Sequence, residues 1–421
     1  MREWVFKKLK VLGTFRSNGA DKLSQPGEIP VRLVNYMDVY RCERITSRIE
    51  FQEVTAKERE IARCDLKRGD VLFTPSSETP DDIGRASVVT EDLPGAVYSY
   101  HVVRFRLHDP ASFDTDFLAY AFNQASARNH FSARATGITR YTLNRSDFTS
   151  LELHLSDDIA EQKGIAASLQ LVDKHITATQ AAISAAERLQ RGLMRELLAG
   201  RIRPDGSVRA AADFWSHDRL GHVPHRWEVR HLRELIRLKN GKSNITSNLR
   251  SNCEGDYQYP VFGGNGMTGW SDRFFLPEPT VVVGRVGEYC GAIHATPQEA
   301  WVTDNALYVE ERLAPLDVRF LFHLLTSLRL NRWKATTGQP KITQSEILNI
   351  RVAFPEDEDE QRAIADRLDA FHDLIRAKES KILALQRLKK SLMQNLLTGR
   401  MRLPAETIAA LNAQATSPAT P

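Results

Sequence analysis

Several stretches carry residue types at spacings that catalysis or cofactor binding could use. Gly264-Asn265-Gly266-Met267-Thr268-Gly269 matches the glycine pattern that lets a backbone approach a pyrophosphate. It follows a strand-like run over 257–262, but the phosphate needs a helix N-terminus next. Trp270-Ser271-Asp272-Arg273-Phe274-Phe275-Leu276-Pro277 does not read as a helix. A glycine-rich hairpin is the expected structure. Gly241-Lys242-Ser243 ends like a phosphate-binding loop, yet Ile236 stands where the cradle requires glycine. Pro80-Asp81 with Glu161-Gln162-Lys163 imitates a nuclease carboxylate set, but Glu161 also fits a helix start. No Asn/Asp-Pro-Pro-aromatic, G-x-S-x-G or H-E-x-x-H motif occurs. Cys42, Cys64, Cys253 and Cys290 form no CxxC and have no His at metal-ligand spacing. The expectation is a non-enzyme with no metal site and no cofactor.

Composition sets the frame for those residues. The chain has 421 residues, with 42% hydrophobic and 26% charged side chains, an ordinary globular balance. Its 57 basic and 53 acidic residues leave a formal charge of +4. A value that small neither announces nor excludes a polyanion partner, since binding needs a local patch. The N-terminus lacks the apolar core of a signal peptide, and no run reaches the ~18 apolar residues of a membrane span. A soluble, reducing, cytoplasmic setting is expected.

The elements that position everything else come from a repeat. Segments 161–201 and 360–400 align without a gap and are identical at 17 of 41 positions. Composition alone would give about two or three. In each, an Asp precedes a Glu by three residues: Asp158 with Glu161, and Asp357 with Glu360. That pattern predicts a capping box. Each copy ends at a glycine suited to a left-handed helix terminus, Gly200 and Gly399. Apolar residues recur every seven positions. Leu169, Ile176, Ile183 and Leu197 form one row in the first copy, joined by Val172, Ala186 and Leu193. Leu368, Ile375, Ile382 and Leu396 form it in the second, joined by Phe371, Leu385 and Leu392. Thr179, Gln190, Lys378 and Lys389 interrupt the stripe. Sustained heptads predict a coiled coil, each helix a rod of roughly 60 Å. Leu189 and Leu388 are expected on the same apolar faces, first as seam and second as a partner-docking surface.

The regions ahead of the rods are related more weakly. Residues 4–9 resemble 227–232, 114–122 resemble 317–325, and 136–155 resemble 337–354. Strand-like runs at 31–40, 70–73, 97–107, 280–283 and 301–309 are separated by Gly/Pro-rich loops. The order is therefore domain, rod, domain, rod. Two such halves can associate about a pseudo-twofold axis, with the helices antiparallel and the domains held apart.

This arrangement resembles the specificity subunit of type I restriction–modification systems. The likeness rests on the twin EQ(K/R)xIA…RLxxxLMxxLLxGR helices, each after a variable domain. It extends to RGDVLFTPSSETPDDIGRA (68–86), ATGITRY (135–141), YPVFGGNGMTGW (259–270) and TGQPKIT (337–343). The resemblance implies an α+β fold: two mixed α/β target-recognition domains joined by two long helices in an antiparallel coiled coil. It divides the chain into domain 1–155, helix 156–203, domain 204–355, helix 356–403 and a tail 404–421, disordered from about Gln414. Each domain would read one half of a bipartite, asymmetric site in double-stranded DNA. The helices would set the gap and dock two methyltransferase subunits, and through them the ATP-driven restriction subunits, which hold the catalysis. A fused nuclease–methyltransferase partner, or a coiled-coil scaffold without DNA, are the alternatives.

Base edges are read by donors and acceptors, whereas Lys and Arg on phosphates only position the protein. The DNA-binding residues expected by motif are Ser76, Ser77, Arg85, Arg140 and Tyr141 in the first domain, and Asn265, Arg285, Gln339 and Lys341 in the second. Gly137 and Gly338 are expected to allow tight turns. Basic clusters also occur at Lys7, Lys8 and Lys10, at 226–242, and at Arg329, Arg332, Lys334 and Lys341. Few counterions would be released by so balanced a chain, so weak nonspecific DNA affinity is expected for it alone.

Overall fold

The computed structural model describes residues 4–243, 249–333 and 340–416. The chain forms two compact units, one of residues 1–179 with 381–421 and the other of residues 180–380. Both heptad segments are helical, over Ile159–Leu198 and Glu358–Leu396. Each unit therefore takes half of each long helix.

In the first unit, Trp4–Lys8 pairs antiparallel with Glu152–Ser156 and so ties the domain's beginning to its end. A five-stranded sheet follows the order Gly13–Arg16, Val103–Leu107, Val71–Phe73, Ala86–Val89, Arg44–Ile45, antiparallel except for the last pair. Phe15, Phe73, Phe105, Phe122, Phe131 and Phe148 fill its core, with ring centroids 4.7–6.3 Å apart. Such edge-on and tilted pairs add about 0.5–1.5 kcal/mol each beyond area burial. A second sheet of Gln52–Ala56, Ile29–Val34 and Ala96–Tyr98 has its own apolar cluster.

Two strand readings need correction here. The run 31–40 ends as a strand at Val34 and becomes the helix Tyr36–Arg41, because Asp38 turns back to accept from the Asn35 amide at 2.8 Å. The run 97–107 splits into Ala96–Tyr98 and Val103–Leu107, which belong to different sheets.

The second unit repeats the plan with different details. Trp227–His231 pairs antiparallel with Arg351–Pro355. A four-stranded sheet runs Ile236–Asn240, Ala306–Arg312, Val281–Gly284, Ile293–Ala295, and a three-stranded one runs Gly266–Ser271, Tyr259–Gly263, Trp301–Val302. The run 301–309 is thus also split between two sheets. The helices Thr115–Ala121 and Val318–Ser327 start at corresponding caps, Asp114 and Asp317, whose carboxylates accept from the first-turn amides.

The long helices pack on each other within each unit, antiparallel. In the first, Ile165, Ala166 and Leu169 share a core with Leu392, Met393, Leu396 and Leu397. In the second, Leu193, Met194 and Leu197 share one with Ile364, Ala365 and Leu368. Ile183 and Ile375 are also buried, and Ile176 and Ile382 half-buried. Leu189 and Leu388 lie outside this seam, 64% and 46% exposed, which leaves of their two expected places the outer surface. Each precedes a stripe position by one residue, and a turn of about 100° per residue carries it off the seam. Lys389, which interrupts the stripe, bonds Asp173 at 2.8 Å, and Asp173 also accepts from the Tyr120 hydroxyl at 2.6 Å. One polar lock of this kind sets register between two helices.

Gly200 and Gly399 end the helices with φ of 66° and 69°. A side chain at Gly399 would strike the Trp4 ring at 2.8 Å, and one at Gly200 would strike Pro224 at 2.3 Å. Each helix end is thereby pressed onto the first strand region of its unit. The tail forms a helix, Ala405–Thr416, whose Ile408 packs on Gly164.

In the second unit, His323 Nε2 sits 2.8 Å from Asp369 Oδ1, and Arg319 lies 3.2 Å from the same carboxylate. Burial raises the Asp369 pKa, but His323 and Arg319 outweigh it and hold the group below its ordinary 3.8. A depressed carboxylate stabilises the fold above that value and loses its contribution as pH falls through the lower folded one. Asp369→Asn is expected to cost about 1 kcal/mol at neutral pH, since the group is a third exposed and screened. Melting curves across pH should show a shallower acid limb for the variant. Identical limbs would remove this pair from the stability of the unit.

Candidate nucleic-acid interface

The first unit builds its candidate edge from the end of a fully buried strand. Val71, Leu72 and Phe73 are all 0% exposed and anchor the chain. The chain then continues to Ser76–Ser77, which pairs antiparallel with Tyr141–Thr142. Thr136 and Thr142 exchange backbone bonds at 2.9 and 3.2 Å, and Leu143 donates to Pro75 O at 2.9 Å. These bonds close a hairpin whose tip, 137–140, projects into solvent with Ile138 93% exposed. Gly137 has φ 147° and would place a Cβ 2.0 Å from Arg140 O, so the turn admits no side chain.

Around this tip the five expected residues take different places. Arg140 is exposed and donates to Ser76 Oγ at 3.2 Å. Tyr141 is half-buried opposite Ser77. Ser77 lies on the inner face of its strand, and its hydroxyl donates to Thr79 O. Arg85 donates to Asp82 at 2.6 Å and lies 4.8 Å over the Tyr40 ring. The Arg85 hydrogen bond is the main reason the Asp82 carboxyl sits below its ordinary value. Ser77 and Arg85 therefore brace the edge from behind, while Ser76, Arg140 and Tyr141 form it.

The structure adds residues that no local pattern marks. Tyr36 donates to Ser76 O at 2.7 Å and stacks on Tyr40. Burial pushes its phenol pKa up, with Tyr40 acting in the same sense and Arg140 against. The His101 ring lies tilted against Tyr100, with centroids 3.9 Å apart. Its pKa is lowered by burial and then by the charges of Lys22 and Arg140. Tyr36 and His101 thus lie near Arg140 from separate segments, with Lys22 and Tyr100 beside His101. Aromatic rings interleaved with cations are the side chains that nucleic-acid surfaces use.

The second unit carries the corresponding edge. Its buried strand Val281–Gly284 continues to Arg285 and Val286, and Val286 bridges Lys341. Ile342 donates to Arg285 O at 3.0 Å, and Gly287 to Pro340 O at 2.8 Å. Lys341 is exposed and Arg285 half-buried, with Tyr289 50% exposed on the same loop. Asn265 is exposed in the turn between Tyr259–Gly263 and Gly266–Ser271. That turn is the hairpin expected in place of a dinucleotide loop. A side chain on Gly264 would lie 3.5 Å from Val286 O, which places the Asn265 turn against the same edge. Gln339 and Gly338 lie outside the described residues.

The remaining chemistry-like residues have structural partners. Glu161 is 1% exposed. It accepts from Trp4 Nε1 at 3.1 Å and Ser156 Oγ at 2.6 Å, and pairs with Arg402 at 2.6 Å. Asp158 caps the helix through the Ala160 amide, but Glu161 does not complete a capping box, because Trp4 and Arg402 claim it. Glu360 likewise takes Trp227 Nε1 and Arg209. Among the described residues no cluster could hold a metal ion, and no helix is long and apolar enough to cross a membrane.

The architecture defines a class: a duplicated α+β protein whose two units pair the ends of two long helices and expose matching basic loop edges. Residues 224–387 match the model of the type I restriction modification DNA specificity domain. The chain is 27% identical over 164 residues to the EcoprrI specificity subunit of Escherichia coli, a match spanning 39% of each protein. It is 25% identical over 316 residues to the MjaVIII specificity subunit of Methanocaldococcus jannaschii, covering 69% of this chain and 71% of that one. The crystal structure of the type I S subunit from M. genitalium superposes with a TM-score of 0.59 at 15% identity, over 94% of this chain and 96% of the other. A structure from a study of type I complex assembly gives 0.57 at 17%, over 94% and 98%. Residues 224–387 thus carry the signature of that specificity domain, the chain is similar to type I specificity subunits over about two thirds of its length, and the fold is shared along nearly all of it.

Proposed function

We propose that this chain is the DNA-reading subunit of a type I restriction–modification complex. Residues 1–155 and 204–355 are its two target-recognition domains, each reading one half of a bipartite duplex site. The observation that carries this reading is the placement of the two edges. In both units a buried central strand delivers a loop that pairs with the segment just before a capped helix. Tyr141–Thr142 precedes the Asn144 cap in one, and Lys341–Ile342 precedes the Thr343 cap in the other.

The same framework presents different side chains, as two different half-sites require. Ser76, Arg140 and Tyr141 face one half, and Asn265, Arg285 and Lys341 the other. Ser77, Arg85 and the tyrosines behind them hold the first edge rigid. The long helices set the gap, and their exposed leucines, Leu189 and Leu388 among them, dock two methyltransferase subunits. Adenine methylation and ATP-dependent restriction belong to the partner subunits, and the complex works in the cytoplasm.

Methylome sequencing of a host carrying the intact system tests this reading. Modified adenines should fall in two short half-sites separated by a constant unread gap. A single continuous motif, or no motif lost on deletion of this gene, would overturn it.

A further inference from the structure

Near its C-terminal end, the first long helix carries Arg188, Arg191 and Arg195, spaced three and four apart on one exposed face. The helix Val318–Ser327 ends beside it, and the chain beyond adds Arg329 and Arg332, also exposed. All five line one open groove of about 710 Å³ in the second unit, together with Met194 and Leu198. Among the described residues no carboxylate pairs with Arg188, Arg191, Arg329 or Arg332. Arg195 reaches only Glu196, which Arg201 already holds. Like charges gathered in one groove without counter-ions repel one another, and a polyanion relieves that repulsion. Arg329 has φ 50°, a backbone region where glycine would be easy and arginine is strained.

The groove adjoins the candidate reading edge. Gly291 closes the loop that begins at Arg285, donating to Gly284 O at 2.8 Å. Its backbone lies so close to Asn331 that a Cβ would approach the Asn331 nitrogen to 2.4 Å. The loop bearing Arg285 and the turn bearing Arg329 and Arg332 are therefore in contact. The corresponding groove of the first unit is lined by Gln124, Ser126, Gln386, Lys389, Lys390 and Arg400. Its Lys389 is committed to Asp173. Along the repeat, Arg387 stands for Arg188 but does not line this groove, Lys390 stands for Arg191, and Gln394 replaces Arg195.

We infer that the arginine groove of the second unit holds the sugar–phosphate backbone of the duplex beyond the base-reading edge, with no equal on the first unit. The inference rests on the proposed function and extends it to a one-sided contact. Guanidinium forks match phosphate oxygens two at a time, and an open, charged groove suits a backbone better than it suits the apolar centre of a protein interface.

The test uses the full chain assembled with its partner subunits and a fluorescent duplex carrying the mapped site, titrated over a range of salt. Assembly is checked first by gel filtration. Arg188→Gln/Arg191→Gln and Arg329→Gln/Arg332→Gln should each lower the slope of log K against log salt by about two, near 0.9 per lost phosphate contact. Lys390→Gln/Arg400→Gln in the first unit should leave the slope unchanged. Wild-type slopes in both groove variants, with binding still weakened by Arg140→Gln, would overturn the groove while leaving the proposed function standing. Groove variants that lose the partner subunits but keep duplex affinity would assign the arginines to an acidic protein surface and overturn it equally. An intact complex that binds no duplex would remove both readings.

Discussion

Gln162→Leu is expected to destabilise the first unit by about 3–4 kcal/mol, more than any other single change considered for this chain. Gln162 is 0% exposed. Its Oε1 accepts from the Asp114 amide at 2.7 Å, and its Nε2 donates to Ser156 O at 2.8 Å and Ser112 O at 3.3 Å. One side chain thus joins the last strand of the domain, the cap of the helix Thr115–Ala121 and the start of the long helix. Leucine fills similar space but strands backbone groups with no water to replace the amide, each at about 1–3 kcal/mol. The second unit uses the same device. Gln361 accepts from the Asp317 amide at 2.9 Å and donates to Pro355 O at 2.9 Å and Pro315 O at 3.1 Å. Urea denaturation followed by circular dichroism and limited proteolysis should show Gln162→Leu releasing fragments of residues 1–179. Gln361→Leu should release fragments of residues 180–380. Unchanged midpoints would show that the amides are replaceable, and the doublet Glu-Gln would then need another explanation.

The second large effect concerns specificity. Arg140→Ala is expected to weaken recognition of one half-site by about 1–3 kcal/mol, roughly fivefold to 150-fold, and to leave the other half untouched. Lys341→Ala should do the reverse. The physical reason is that Arg140 and Lys341 stand on separate loop edges in separate units, each supported by its own buried strand. Competition binding by the assembled complex, with duplexes altered in one half or the other, measures this. Equal loss of discrimination at both halves from either substitution would contradict independent reading. A uniform loss across all sequences would instead make the residue a phosphate contact.

The repeat was legible because helices are local. Identical residues at 17 of 41 aligned positions and a seven-residue apolar rhythm need no knowledge of distant partners. Strand boundaries were less legible. The runs 97–107 and 301–309 each look continuous, yet each divides between two sheets, and only neighbouring strands decide where a strand changes sheet. Glu161 shows the same limit at one residue. Its spacing from Asp158 suits a cap, but a Trp and an Arg far away in sequence take it instead. The candidate edge was half legible. Local motifs mark the loops of Ser76, Arg140 and Lys341, while Tyr36 and His101 come to the first loop edge only through the fold.

By itself the sequence determined the duplication, the two long helices and the apolar stripe along each. All of these follow from periodicity and identity along the chain. Tertiary structure alone decided which exposed cations are free and which are spent. Arg85 and Lys389 look as available as Arg140 in a list of residues, but Asp82 and Asp173 hold them. Arg188 and Arg332, 144 positions apart in the sequence, line one groove only because a helix end and a turn meet there. Charge becomes a site when folding brings cations together and withholds their counter-ions, and a net charge of +4 contains neither fact.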